Sequence, residues 1–92
     1  AITNADVVVT DTYTSIHNND PKRIKKFIPK YQITQTLMSN AKNDAIFMHC
    51  LPAKRESEVT SSVIDGPQSV VWDEAENRLH TQKALLASII RA

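Results

Sequence analysis

Cys50 is the chain's single cysteine, set where an apolar run meets a turn-forming proline in the order Met48-His49-Cys50-Leu51-Pro52. Two further groups with chemical capacity follow similar runs. Asp11 comes directly after run 7–10, and Arg78 closes the stretch Asp73-Glu74-Ala75-Glu76-Asn77-Arg78 that follows run 69–72. A carboxylate, a thiol and a guanidinium could serve an amine and a carbonyl or phosphate oxygen. Asp11 could hold the cationic amine, and Ser15, four residues on, could add a hydroxyl from the same loop. Cys50 could pack against, hydrogen-bond or help deprotonate that amine. Arg78 offers a fixed fork of donors to a carbonyl or phosphate oxygen.

Plainer roles stand beside each of these. Asp11 would be ordinary as a cap or turn residue, Cys50 as a small buried apolar side chain, and Arg78 as half of a surface salt bridge. A metal centre on His49 and Cys50 lacks the CxxC or HxxxH spacing that would bring further ligands. A Cys50–His49 nucleophilic pair is disfavoured, because neighbours on a strand point to opposite faces. Lys22, Arg23, Lys25 and Lys26 surround Ile24 and Phe27, as the solvated face of an amphipathic helix does. Trp72 reads as core or interface packing. His17 and His80 have no evident partner in the sequence.

The elements that must position these groups follow from pattern. Runs 7–10, 45–49 and 69–72 are β-branched or aromatic and mostly apolar at consecutive positions, which predicts parallel strands buried on both faces. Asp20-Pro21 predicts a helix start, with aspartate as N-cap and proline at the first position. Ile24, Phe27 and Ile28 share its inner face, and Pro29 ends it. A second helix is expected over 34–42, burying Leu37, Met38 and Ala41, and a short third over 59–64, stopped by Gly66-Pro67. In the last helix Asp73 is the expected cap, with Glu76 in a capping-box arrangement. Its apolar stripe comprises Leu79, Leu86 and Ile90, flanked by Leu85 and Ile89. The order β–α–α–β–α–β–α predicts a small three-layer α/β domain: a short parallel sheet of about three strands, flanked by helices and joined by right-handed crossovers. Open parallel sheets bind ligands outside the carboxyl ends of their strands. Asp11, Cys50 and Arg78 should therefore emerge on one edge.

Bulk properties narrow the function classes. The 92 residues suit one domain. A net charge of +1 offers no electrostatic case for nucleic acid or an anionic membrane. No apolar stretch approaches the ~20 residues that span a bilayer, and no signal-peptide pattern opens the chain. One cysteine cannot form an internal disulfide, so a reducing cytoplasm is the expected compartment. A start at Ala1, close to a strand-like run, and a single glycine, Gly66, are expected of a segment of a larger protein.

With these residues in view, the chain resembles the carboxyl-terminal part of the ornithine carbamoyltransferases along nearly its whole length. Thr10-Asp11-Thr12-Tyr13-Thr14-Ser15-Ile16 is similar to the family's Thr-Asp-x-Trp-x-Ser-Met. His49-Cys50-Leu51-Pro52 matches its His-Cys-Leu-Pro without change, and Glu76-Asn77-Arg78 matches its Glu-Asn-Arg. The resemblance implies transfer of a carbamoyl group from carbamoyl phosphate to the δ-amino group of ornithine, giving citrulline and phosphate, with no metal or organic cofactor. It implies that Asp11 and Ser15 bind ornithine, that Ile16 occupies the family's methionine position, and that Cys50 lies by the reacting amine. The Cys50 and Leu51 carbonyls would orient the carbamoyl group, and Arg78 would hold the carbamoyl phosphate oxygens and the charge of the tetrahedral intermediate.

Departures are local. Tyr13 replaces the usual tryptophan, Ile16-His17 replaces Met-Gly, and Glu56 stands where many members have glycine. The family's phosphate-binding Ser-x-Arg-Thr motif lies in an amino-terminal domain and is absent here. The chain is thus expected to be the ornithine-binding segment, inactive alone, of a cytoplasmic homotrimer in arginine metabolism. Leu86, Ile89 and Ile90 would then be left partly exposed, and self-association is expected. Two alternatives are a sister carbamoyltransferase acting on an amine such as putrescine and a stand-alone amino-acid-binding or structural domain. An aspartate carbamoyltransferase fits less well, having typically His-Pro-Leu-Pro where Cys50 stands here.

Overall fold

The computed structural model describes residues 1–14 and 20–91. The order is β1 (Val7–Thr10), α1 (Pro21–Phe27), α2 (Gln35–Met38), β2 (Ile46–His49), α3 (Ser61–Ile64) and α4 (Val71–Ile90). β1 and β2 pair in parallel, from Val7 opposite Ile46 to Thr10 opposite His49. This register brings the carboxyl ends of both strands level, which places Asp11 beside Cys50.

The short parallel sheet flanked by helices is the predicted α/β class, with two strands in place of about three. Run 69–72 divides. Ser69 forms a single parallel bridge with Phe47, and Phe47 donates to Gln68 O at 2.8 Å and accepts from Val70 N at 3.0 Å. The chain then enters α4 at Val71, which is fully buried. Burying Val71 at the helix start outweighs extending the ladder. Burial on both faces does not hold for β1 either: Val8 is buried, whereas Val7 and Val9 are exposed.

Helix starts follow their caps where a side chain can reach. Asp20 accepts from Lys22 N at 2.9 Å at the head of α1, and Thr34 accepts from Leu37 N at 3.1 Å at the head of α2. α2 is shorter than predicted. Asn40 O accepts from Asn4 N and Lys42 N donates to Ala5 O, both at 3.1 Å, and these bonds pull the chain toward β1. α3 starts later than predicted, because Glu58 and Thr60 are tied in backbone bonds to Ile33. The predicted Asp73 cap is not formed. α4 begins at Val71, so Asp73 and Glu74 lie within its first turn, where negative charge still complements the helix dipole.

The core gathers Val8, Ile33, Met38, Ala41, Ala45, Phe47, Val59, Val63, Ile64 and Val71. α4 packs against β2, and its buried residue is Val71 at its start. Beyond that its stripe (Leu79, Leu85, Leu86, Ile89, Ile90) is exposed, as is Trp72 at 69 %. No helix among the described residues is long and apolar enough to cross a membrane.

Candidate active site

Asp11 leaves the end of β1 and is oriented by its own turn. Its Oδ1 accepts from Thr12 N at 2.7 Å and from the Cys50 thiol at 3.2 Å. The turn is braced from two sides. Lys54 Nζ donates to the buried Thr14 Oγ1 at 2.9 Å, and Tyr13 stacks on Phe27 of α1 with ring centroids 5.0 Å apart. Tyr13 replaces the larger aromatic of the resembling family and still packs as an aromatic. Burial, reinforced by the Glu58 charge, raises its phenol above the ordinary range.

Cys50 and Leu51 leave the end of β2 in a turn held from inside the protein. His49 is fully buried. Its Nδ1 accepts from Leu51 N at 2.8 Å, which leaves the ring proton on Nε2 to be donated to Glu58 Oε1, also at 2.8 Å. Glu58, fully buried as well, accepts from Lys54 N at 2.9 Å. His49 N in turn donates to Glu74 Oε2 at 2.9 Å. Leu51 adopts a left-handed backbone with φ 56°, a conformation costing a bulky residue on the order of 1 kcal/mol or more. The bond from its N–H to His49 holds it there. Backbone strain at the end of a strand, supported by a buried network, is the pattern of a site built for placement.

Hydrogen bonds set the electrostatics of the exposed pair. Asp11 is lowered below the usual carboxylate value, first by the Thr12 N–H and then by the Cys50 thiol. Cys50 is raised above the usual thiol value, chiefly because its proton is donated to Asp11 and further by burial and the adjacent negative charge. The thiol is kept protonated, which makes it a donor and packing group and a poor nucleophile.

Asp11, His49 and Cys50 offer ligand atoms within 4.8 Å of one another. Both nitrogens of the His49 ring are already engaged, so a metal ion would have to displace the bond that holds Leu51. The arrangement suits hydrogen bonding to a substrate better than ligation.

The sheet register brings Asp11 and Cys50 into hydrogen-bond contact at the strand ends, with Leu51 next in the chain. Arg78 stands on α4, exposed and without an ion pair among the described residues, one turn beyond Glu74. Ser15, Ile16 and His17 lie outside the described residues. His80 meets Glu76 one turn earlier at 3.3 Å. Glu58 and Glu74, which bond the ring and the N–H of His49, are the residues of this network that sequence reading misses. Glu58 sits in a polar stretch with no outward sign of burial, and Glu74 reads there only as an acidic residue of a first turn.

The family described as "Aspartate/ornithine carbamoyltransferase, Asp/Orn binding domain" matches residues 1–89. The chain is 64% identical over 89 residues to the ornithine carbamoyltransferase of Cenarchaeum symbiosum, covering 97% of this chain and 30% of that protein. Its fold superposes on ornithine carbamoyltransferase from Pyrococcus furiosus with a TM-score of 0.85 and 52% identity, over 94% of this chain and 28% of the other. For the anabolic enzyme of Campylobacter jejuni the values are 0.89 and 39%, over 100% and 30%. The chain spans less than a third of the length of these proteins.

Proposed function

The chain belongs to the aspartate/ornithine carbamoyltransferase family, in its Asp/Orn-binding domain, and on that premise we propose that it is the carboxyl-terminal, ornithine-binding part of an ornithine carbamoyltransferase. The whole protein would transfer a carbamoyl group from carbamoyl phosphate to the δ-amino group of ornithine. The observation that carries this reading is the Asp11–Cys50 hydrogen bond at the level ends of two parallel strands.

In this reading Asp11 takes the amino-acid end of ornithine, aided by Ser15 and the backbone at Ile16. A proton-bearing Cys50 thiol packs beside the δ-nitrogen without competing for the carbamoyl carbon. The amine must be neutral and held in line to attack, and a partly desolvated, oriented nucleophile lowers that barrier. The Cys50 and Leu51 carbonyls, aimed by the His49–Glu58 network, accept from the carbamoyl amino group. Arg78 stabilises the oxyanion of the tetrahedral intermediate and binds the phosphate oxygens until the carbon–oxygen bond to phosphate breaks. The remaining phosphate contacts belong to a part of the enzyme outside these 92 residues. The parent is a cytoplasmic homotrimer of arginine metabolism in this proposal.

The test is citrulline formation by the full-length protein that carries this chain. Ornithine is expected to be carbamoylated in preference to putrescine, and the isolated 92-residue chain is expected to form no citrulline. Asp11→Ala should lower kcat/KM for ornithine by roughly 10- to 100-fold, the worth of one charged hydrogen bond. Preference for putrescine, or an Asp11→Ala enzyme as efficient as wild type, would sink the proposal.

A further inference from the structure

Along β2, Phe47 exchanges backbone hydrogen bonds with Gln68 and Val70. With a strand period of two, His49 is the next residue whose N–H faces that side. By then the neighbouring segment has become α4 and offers no backbone carbonyl. Glu74 Oε2 receives the His49 N–H instead, at 2.9 Å. A helix side chain thereby completes a sheet hydrogen bond immediately before Cys50.

The same carboxylate has an obvious competing partner. Glu74 lies four residues before Arg78, the favoured orientation for an ion pair along a helix. No ion pair to Arg78 forms among the described residues, and Glu74 reaches toward β2. Arg78 follows one turn later on the same helix face, with its charge uncompensated there.

We propose that Glu74 is a positioning residue of the transfer site, clamping the backbone at His49–Cys50 to α4 and leaving Arg78 unpaired for a substrate oxyanion. The proposal rests on the transferase reading above. It assigns Glu74 its effect through reach, since the carboxylate acts as an acceptor for one backbone N–H. Its charge is incidental to that task.

Two variants of the full-length protein separate reach from charge. Glu74→Gln keeps the reach and an acceptor oxygen, and Glu74→Asp keeps the charge but is one methylene short. Glu74→Gln should lose no more than about threefold in kcat, and Glu74→Asp about tenfold or more, with both KM values within about threefold of wild type. Hydrogen exchange at the His49 amide reads the same bond without turnover: slow in wild type and Glu74→Gln, faster in Glu74→Asp. An active Glu74→Asp beside an impaired Glu74→Gln overturns the proposal, and so does unchanged His49 exchange in Glu74→Asp. Should Glu74→Asp not fold, Glu74→Gln decides alone: a loss of about tenfold or more in kcat refutes it. A wild-type protein that forms no citrulline would refute the transferase reading, while the exchange measurement still decides where Glu74 acts.

Discussion

At Cys50 the proton matters more than the sulfur. Asp11 accepts it, which raises the thiol above its ordinary value, while the carboxylate is lowered first by the Thr12 N–H and then by the thiol. The signs fix the pH windows. The Asp11 contribution to stability is present above its unfolded value and lost as pH falls through its lower folded value. The Cys50 contribution is present below pH 9.0 and lost as pH rises through its higher folded value. Both groups are exposed, so the consequence is chemical more than energetic. The pH profile of Cys50 alkylation by iodoacetamide should lie at higher pH than that of an ordinary thiol, and Asp11→Ala should move it to lower pH. An identical profile in the two proteins would show that Asp11 does not hold the thiol proton. That Asp11 and Cys50 emerge on one sheet edge was legible in the sequence, because both end parallel strands; that their strands are neighbours came from the fold. The role of the His49 ring was not legible, because nothing near it in sequence reveals that Glu58 returns to face it.

At the scale of elements, local chemistry succeeds where it is self-contained. Asp20-Pro21 and Thr34 start helices because the cap and its donors lie within three residues. Asp73 does not, because burial of Val71 draws the start of α4 three residues earlier, to an N-cap at Val70. The single glycine marks another local constraint. A Cβ at Gly66 would lie 2.5 Å from Ser62 O and 3.3 Å from Val63 O, both backbone atoms of α3. Neither can swing aside as a flexible side chain would, and the end of α3 carries the buried Val63 and Ile64. Gly66→Ala should destabilise the fold by about 1–3 kcal/mol, read as a lower urea midpoint with an unchanged slope. An unchanged midpoint would show that the end of α3 relaxes freely.

Over the whole molecule, the core is concentrated between the sheet, α2 and α3, and α4 extends beyond it. Leu79 is 65 % exposed and Ile90 73 %, with Leu85, Leu86 and Ile89 between them on the same helix. An apolar stripe of that length in water favours association. The isolated chain should sediment as a concentration-dependent oligomer, and Leu86→Lys with Ile89→Lys should shift it toward monomer. A wild-type chain that stays monomeric at high concentration would contradict this. The apolar periodicity of α4 was plain in the sequence. Periodicity reports that a face is apolar and says nothing of whether these 92 residues contain the surface that covers it.

The sequence by itself determined the strands of runs 7–10 and 45–49, the Asp20-Pro21 helix start, the family motifs and the convergence of Asp11 with Cys50. Each depends on residue type and near spacing, and parallel pairing does the rest. Only the tertiary structure decided that run 69–72 yields to a helix, and that two carboxylates serve His49. Glu58 bonds its ring and Glu74 its N–H, from 9 and 25 residues away. A glutamate bound for a buried network reads the same in sequence as one bound for solvent. The difference is the acceptor that the folded backbone brings within reach.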